Sequence, residues 1–451
     1  MLMANWRYYA MESLLRLQGR PVFARYRQMT RLAFEQPHAL NALNERKLKS
    51  LLQFARETVP YYRHILSGFS SEQPLNWNWF QSLPLLDKNI LRTRHDDLIS
   101  IAIPRAQTYT QTSGGSTGEP VQLLHDRDAW DWGVAATLFF FDMAGKKPGE
   151  REVKLWGSER DILEGGIGVK ARAENFLYNR LLLNSFMMSE PTMRDYARRI
   201  NRFRPAAIWT YVDSIYELAS FIEREQIAIF SPRAIITTAG TLYPHIREII
   251  ERVFRAPVLN QYGSREVGAI AAECPHRRGL HVFNFNCHIE VLREDGSPAE
   301  AGEMGEVVVT SLVHRAMPLI RYRIGDTATF SNEKCPCGRH LPLLASVNGR
   351  VTDHFRRANG GIVHGEFFTH LMYDLSGVQR FKFVQEAFDL VRVFIVPAQP
   401  FNQAQWARNS RAMEEKIQVA MGKDCRVCFE VVEEIPPSPS GKYRYTESLL
   451  P

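Results

Sequence analysis

The sequence predicts an α/β protein in three parts. These are a large N-terminal domain of layered α/β sheets, a small barrel-like β subdomain within it, and a small C-terminal α+β domain. Three observations carry the prediction. From residue 192, helix-period and strand-like stretches alternate. Over 280–330, short alternating runs are punctuated by glycine turns. After Gly349-Arg350 come two strands, a long helix and a third strand.

In chain order, residues 39–66 place Leu43, Leu48, Leu51, Leu52, Phe54 and Ala55 at helical spacing, interrupted at Pro60. The segment 84–104 mixes apolar and charged residues and ends at Pro104. Residues 128–144 form an aromatic-rich helix candidate. TMRDYARRINRF predicts a helix that stops before Pro205, and AAIWTY a strand. SIYELASFIEREQI predicts a helix capped by Asp213 or Ser214. AIITTAG reads as a buried strand, YPHIREIIERVF as a helix and APVLNQYG as a short strand. Such alternation builds a largely parallel sheet, which binds ligands at the carboxyl ends of its strands. Those ends fall at 211–213, 238–241 and 261–266. HIEVLREDGSP, GEVVVTSL and PLIRYRIGDTATF predict the antiparallel, barrel-like part. In the tail, RFKFVQE, LVRVFIVP and CRVCFEVVEEI are strands, and AQWARNSRAMEEKIQVAM is a helix.

At 451 residues the chain exceeds one ordinary domain. Its net charge of +7 is spread without a dominant block, a mild bias that gives no reason to expect nucleic acid as a partner. No apolar run approaches the length of a membrane-spanning helix. MLMANWRYYAMESLLRLQGR lacks a continuous apolar core and a small-residue cleavage site, so no signal peptide is expected. Its apolar and Arg pattern suits an amphipathic helix, expected to pack on its own domain; peripheral membrane association is the other reading. Six cysteines are too few for a disulfide scaffold in a chain of this length and suit a reducing, cytoplasmic location.

Residues 108–121 read TYTQTSGGSTGEPV. Gly114, Gly115 and Gly118 alternate with Thr112, Ser113, Ser116 and Thr117. Glycine lets successive N–H groups turn toward one point and hydroxyls add donors, which is the chemistry of a phosphate cradle. A Walker loop would end in Gly-Lys-Ser/Thr, whereas Glu119 follows Gly118 here. A flexible surface loop has the same composition. Gln261, Tyr262, Gly263 and Glu266 follow a strand. A ring there stacks on a purine and a carboxylate binds Mg2+, or the stretch is a turn with a helix cap. Asp326, after a Gly325 turn, can accept both ribose hydroxyls, but Gly-Asp turns are common. Ser440-Gly441-Lys442 lies in a Pro/Ser-rich loop, where a lone lysine is ordinarily solvated. Trp209 and Tyr211 suggest an aromatic-lined pocket, and core packing explains them equally well.

Taken in order, the glycine/hydroxyl loop, YGSRE, YRIGD, GR-x-x-D and PSGK make the chain resemble the adenylate-forming superfamily. VPYYR, and IRYRIGD followed by CPCGR, resemble its phenylacetate–CoA ligase branch, including relatives found with capsular polysaccharide genes. The resemblance spans nearly the whole chain. It implies ATP-dependent conversion of a small carboxylic acid to an acyl-adenylate, then transfer to coenzyme A. Other outcomes it leaves are transfer to an amine, hydroxyl or carrier protein, or transfer of AMP itself. A non-catalytic, zinc-stabilised binding protein in polysaccharide assembly is the alternative outside enzymes.

The resemblance also implies roles. Ser113 to Gly118 cradle the β- and γ-phosphates, with Thr112 beside them. Thr238, Ala239, Gly240, Thr241 and Tyr262 hold adenine, flanked by Gln261 and Gly263. Glu266 reaches Mg2+, and Asp326 and Arg350 bind the ribose. Lys442 bridges the carboxylate and the α-phosphate. Residues 1–348 then hold nucleotide and acid, and 349–451 form a mobile lid that rotates between half-reactions. Two departures stand out: the loop lacks the lysine many relatives carry, and GRVTDHF lacks the paired acidic residues usual at the hinge.

Cys335-Pro336-Cys337-Gly338 is a knuckle-like thiolate pair. With Cys274 and His281 it makes a Cys3His set suited to structural Zn2+, a site that members of this branch can carry. The same groups can also sit without metal. His276 is the alternative ligand; His281 is preferred because Cys274 and His276 share one turn. Cys425 and Cys428 fall on opposite faces of a strand and read as core and edge residues.

Overall fold

The computed structural model describes residues 5–112, 121–157, 169–348, 355–359, 361–363, 365–372, 375, 377–398, 401–435 and 445–450. The chain begins with helices Trp6–Leu17, Val22–Leu32, Pro37–Thr58 and Pro60–Ile65. Pro37 and Pro60 each open a helix. In a first turn the missing N–H has no partner to lose, so Pro60 starts a new helix where the old one stops. Strands β1 (Thr108–Thr112) and β2 (Gln122–Asp126) pair antiparallel, with Thr112 opposite Gln122, so they flank the glycine-rich loop. Residues Ser113, Gly114, Gly115, Ser116, Thr117 and Gly118 lie outside the described residues. The aromatic-rich helix follows at Arg127–Met143, capped by the Asp126 side chain.

Next come β3 (Glu152–Trp156), β4 (Arg180–Asn184), β5 (Met187–Met188), β6 (Ala207–Tyr211), β7 (Ala234–Thr238) and β8 (Val258–Ser264). Strands β4, β3, β6, β7 and β8 lie side by side and parallel, as the alternation predicts. The helix after β6 begins at Val212 with Tyr211 in the cap position and no side-chain cap bond. The expected caps, Asp213 and Ser214, already lie inside it. Strand runs straight into helix with no spare turn residue, and Asp213 faces the positive end of the helix dipole from the first turn.

The short antiparallel strands expected over 280–330 form. After β9 (Gly268–Glu273), which precedes that span, they are β10 (Leu280–Val282), β11 (Cys287–Leu292), β12 (Met304–Ser311) and β13 (Tyr322–Ser331), and β14 (Leu343–Asn348) follows it. They hydrogen-bond onward to the parallel strands, giving one eleven-stranded order, β11-β12-β13-β14-β10-β9-β8-β7-β6-β3-β4. Strand β8 makes the join, parallel to β7 on one edge and antiparallel to β9 on the other.

The tail holds β15 (Phe355–Arg356), β16 (Ile362–Val363), β17 (Val378–Ala387), β18 (Leu390–Pro397), helix Gln403–Met421, β19 (Arg426–Val431) and β20 (Thr446–Ser448). Its sheet order is β19-β18-β17-β20. Cys425 is buried and Cys428 exposed, as strand alternation requires. The tail's core takes in Phe186 and Tyr211 from the preceding region, and β16 pairs with β5. Among the described residues no helix is long and apolar enough to cross a membrane.

Arg321 ties the N-terminal segment to the sheet. Its guanidinium pairs with both Glu290 oxygens at 3.0 Å and donates to the carbonyls of Gln81 and Leu83. Leu86 forms a parallel bridge with Tyr322: its N–H donates to the Arg321 carbonyl, and its own carbonyl accepts from Arg323. Nearby, His288 stacks on Trp77 at 5.1 Å and meets the Asn44 amide oxygen at 3.1 Å. Burial, reinforced by Arg321, pushes its pKa down to about 4. The unfolded chain, titrating near 6.5, therefore binds more protons below that pH. This part of stability is complete above pH 6.5 and lost as pH falls toward 4. Denaturation midpoints at pH 7 and pH 5 are expected to differ less in His288→Gln, by roughly 1–2 kcal/mol in stability. An unchanged difference would remove His288 from the acid response.

Candidate active site

A cavity of about 1130 Å³ opens at the carboxyl ends of β6, β7 and β8. Parallel sheets leave space there because the connections turn outward into helices. Tyr211 comes from the end of β6. Thr238, Ala239 and Gly240 line the cavity from the end of β7, and Gln261, Tyr262 and Gly263 from β8. Ala239 has φ 57°, a left-handed conformation that is costly for a residue with a Cβ and that gathers at ligand sites. Gly263 is required by close approach: a Cβ there would sit 2.6 Å from the Gly268 carbonyl oxygen across the hairpin. Thr241 lies just past the lining, and its buried hydroxyl has no hydrogen-bond partner among the described residues. The stretch after Ser264 is a hairpin turn into β9, with no helix to cap.

The opposite wall comes from β13. The Tyr262 hydroxyl donates to Oδ2 of Asp326 at 2.9 Å, fixing the carboxylate beside the ring. Glu266 is buried in the hairpin turn and faces the cavity. Lys88 Nζ stands 3.8 Å from Glu266 Oε1, both side chains almost fully buried. Lys88 opens a short helix capped by the Asp87 side chain, two residues beyond the Leu86 bridge. His125 and His314 line the same region, ring edge to ring face at 4.5 Å, with His314 Nδ1 2.6 Å from Ser311 Oγ. Burial pushes His125 down to about 4 against the pull of Asp126 and Glu266, so the ring is neutral. Sequence reasoning singled out none of these three. A strand histidine and a helix-opening lysine carry no local sign of burial. Trp156, Trp209 and Tyr211 form an aromatic wall, with Trp156 centred 4.9 Å from Trp209 and 4.3 Å from Tyr211. Thr112 ends β1; Arg350 and Lys442 lie outside the described residues.

Cys274, His281, Cys335 and Cys337 come together away from the cavity, with their donor atoms all within 4.8 Å of one another. Pairing of Leu280 with Glu273 across the β9–β10 hairpin sets Cys274 near His281. The loop between β13 and β14 brings Cys335 and Cys337. Cys274 Sγ lies 3.5 Å from Cys335 Sγ, and Cys337 Sγ lies 3.4 Å from His281 Nε2. Tetrahedral Zn2+ bonds of about 2.3 Å to sulfur and 2.0 Å to nitrogen set donor atoms roughly 3.5–3.8 Å apart. Backbone N–H groups of His276, Cys337 and Arg339 donate to Cys274, Cys335 and Cys337, each two residues back. That pattern favours thiolates. Burial pushes the Cys274 thiol up to about 12 and His281 down to about 4 in the absence of a cation. The donor set fits a structural Zn2+, with His281 rather than His276 inside it.

The fold is that of adenylate-forming ligases. One solved 2-hydroxyisobutyryl-CoA ligase, with acyl-AMP and CoA in its thioesterification state, aligns with TM-score 0.62. The match covers 92% of this chain and 91% of that one at 19% identity. An open form of the same ligase gives 0.58 over 90% of each chain, also at 19% identity. Within that fold class the chain is homologous to CapK and to the phenylacetate–coenzyme A ligases. It is 24% identical to Staphylococcus aureus protein CapK over 89% of this chain and 88% of that protein. It is 28% identical to the Escherichia coli phenylacetate-coenzyme A ligase over 64% of this chain and 66% of that enzyme. Residues 355–448 match the CapK C-terminal domain.

Proposed function

We propose that this protein activates a small carboxylic acid with ATP and Mg2+, forming an acyl-adenylate and pyrophosphate. It then passes the acyl group to a thiol, most simply coenzyme A, with AMP as the leaving group. The observation that carries this reading is one cavity at the strand ends that gathers Tyr262 with Asp326, the Ala239 turn and Glu266. The likeness to ligases that make acyl-CoA supports it. Tyr262 and the 238–241 turn would face adenine and Asp326 the ribose, with Arg350 joining from the hinge. The loop 113–118 would take the β- and γ-phosphates.

A carboxylate attacking a phosphate meets like-charge repulsion, and cations must offset it. Mg2+ would supply part of that offset. Glu266 suits it, because Mg2+ is held by one or two carboxylates together with substrate phosphates. Lys442 would supply the rest, from a C-terminal lid at 349–451 moving against 1–348. Zn2+ would sit on Cys274, His281, Cys335 and Cys337 as a structural ion. A cytoplasmic location belongs to the same reading.

ATP with Mg2+ is expected to raise the melting temperature through linkage. ATP–pyrophosphate exchange across a panel of acids tests the first half-reaction, and detection of acyl-CoA tests the second. Glu266→Gln is expected to keep a cooperative thermal transition and to lose Mg2+-dependent pyrophosphate release by on the order of 10²–10³-fold. Release at the wild-type rate would exclude Glu266 from the site.

A further inference from the structure

Strand alternation puts Glu152, Lys154 and Trp156 of β3 on one face, and all three line the cavity. Glu152 is buried with both oxygens engaged: Lys146 holds Oε2 and Arg180 holds Oε1 at 2.5 Å. Arg20, also on the lining, is taken by Asp131. Four cations thus face two buried carboxylates in this end of the cavity, and Lys154 is the cation left over. Among the described residues it has no hydrogen-bond or ion-pair partner. Its Nζ lies 4.5 Å from the Trp156 ring centre and 4.6 Å from that of Trp209. Cation–π contacts to two rings hold the ammonium in place but leave its N–H donors unused. Burial, with Arg180 adding and Glu152 opposing, pulls its pKa down to about 8. A leucine or methionine would fill the same position without that cost, so the charge calls for a partner that arrives with the ligand.

We propose that Lys154 is a specificity-determining residue that reads a second carboxylate at the far end of the acid. The substrate class is then a dicarboxylic acid, activated at one end and held at the other, its body lying along the Trp156–Trp209–Tyr211 wall. This rests on the acid-activation reading above and narrows its substrate. The Arg180–Glu152–Lys146 chain keeps the other charges satisfied, so the incoming carboxylate meets one unspent donor instead of displacing an internal ion pair.

Matched acids test it by isothermal titration in the presence of AMP and Mg2+: phenylacetate against 4-carboxyphenylacetate, and hexanoate against adipate. In at least one pair the diacid is expected to bind about tenfold more tightly than its partner, the order of a charged hydrogen bond. Lys154→Met is expected to bring that ratio to about one, and Lys154→Arg to preserve a preference. Circular dichroism checks that both variants fold. Equal binding within both pairs, absence of diacid binding, or a preference that survives Lys154→Met overturns the proposal. AMP binding and pyrophosphate exchange are read separately. If AMP binds and exchange proceeds with monoacids alone, the dicarboxylate assignment falls and the ligase reading stands. If Lys154-dependent diacid binding occurs without exchange under any acid, the subsite stands and the ligase reading falls.

Discussion

Lys442→Ala is expected to lose acyl-adenylate formation by on the order of 10³-fold while still making thioester from a pre-made adenylate and the acceptor thiol. The expectation rests on PSGK lying in a small C-terminal region joined through Gly349-Arg350. A lysine clamp matters where negative charge accumulates between the attacking carboxylate and the α-phosphate. It has no such task once the adenylate exists and a thiol attacks the acyl carbon. Single-turnover assays of each half-reaction separate the two. Equal losses in both would mean that Lys442 supports the structure or that the lid does not alternate. No loss in either would leave it as solvated surface.

Stripping metal, or replacing Cys335 by serine, is expected to destabilise the protein by roughly 2–5 kcal/mol, comparable to losing a covalent cross-link of similar span. Cys274 and Cys335 are 61 residues apart in sequence, so one ion on both closes a long loop. The cluster packs under the helix Val22–Leu32: the His340 N–H donates to the Ala33 carbonyl, and the His340 ring meets that of Glu35. None of the four ligands lines the cavity. Elemental analysis of protein purified without added metal is expected to give about one zinc per chain. The residual folded fraction of Cys335→Ser is expected to keep its turnover per folded molecule. Zinc-free protein with Cys335 and Cys337 free to thiol reagents, and with wild-type stability, would end the assignment.

Much of the fold is legible because it is periodic. The parallel strands and helices from 192 to 264 announce themselves through apolar spacing, and so do the tail's elements. Which strands join is less legible. Nothing local in GSREVG says that β8 pairs parallel on one edge and antiparallel on the other, because register is settled by partners distant in the chain. The cavity's strand-end residues follow from topology once the alternation is read. Lys88 and Lys154 do not. A lysine in a strand or at a helix start has the same sequence appearance whether it is solvated or buried beside a carboxylate or two indoles. The cysteine pair is visible as a motif and the sequence already favours Cys274 and His281 beside it, but not the hairpin and loop that bring the four donors within 4.8 Å of one another.

Arg321 gives the cavity a common datum. Lys88, beside Glu266, and Asp326, beside Tyr262, belong to segments far apart in sequence, and each would carry its own positional error. The guanidinium grips Glu290 and the carbonyls of 81 and 83, and the Arg321 backbone carbonyl accepts from Leu86. Lys88 is two residues past that bond and Asp326 is five residues past Arg321 along β13. Lys88 and Asp326 are therefore gauged from one residue instead of through a chain of loops. A shift of Arg321 is expected to carry Lys88 and Asp326 together, which would hold steady the width between them, the dimension the proposed nucleotide would have to match.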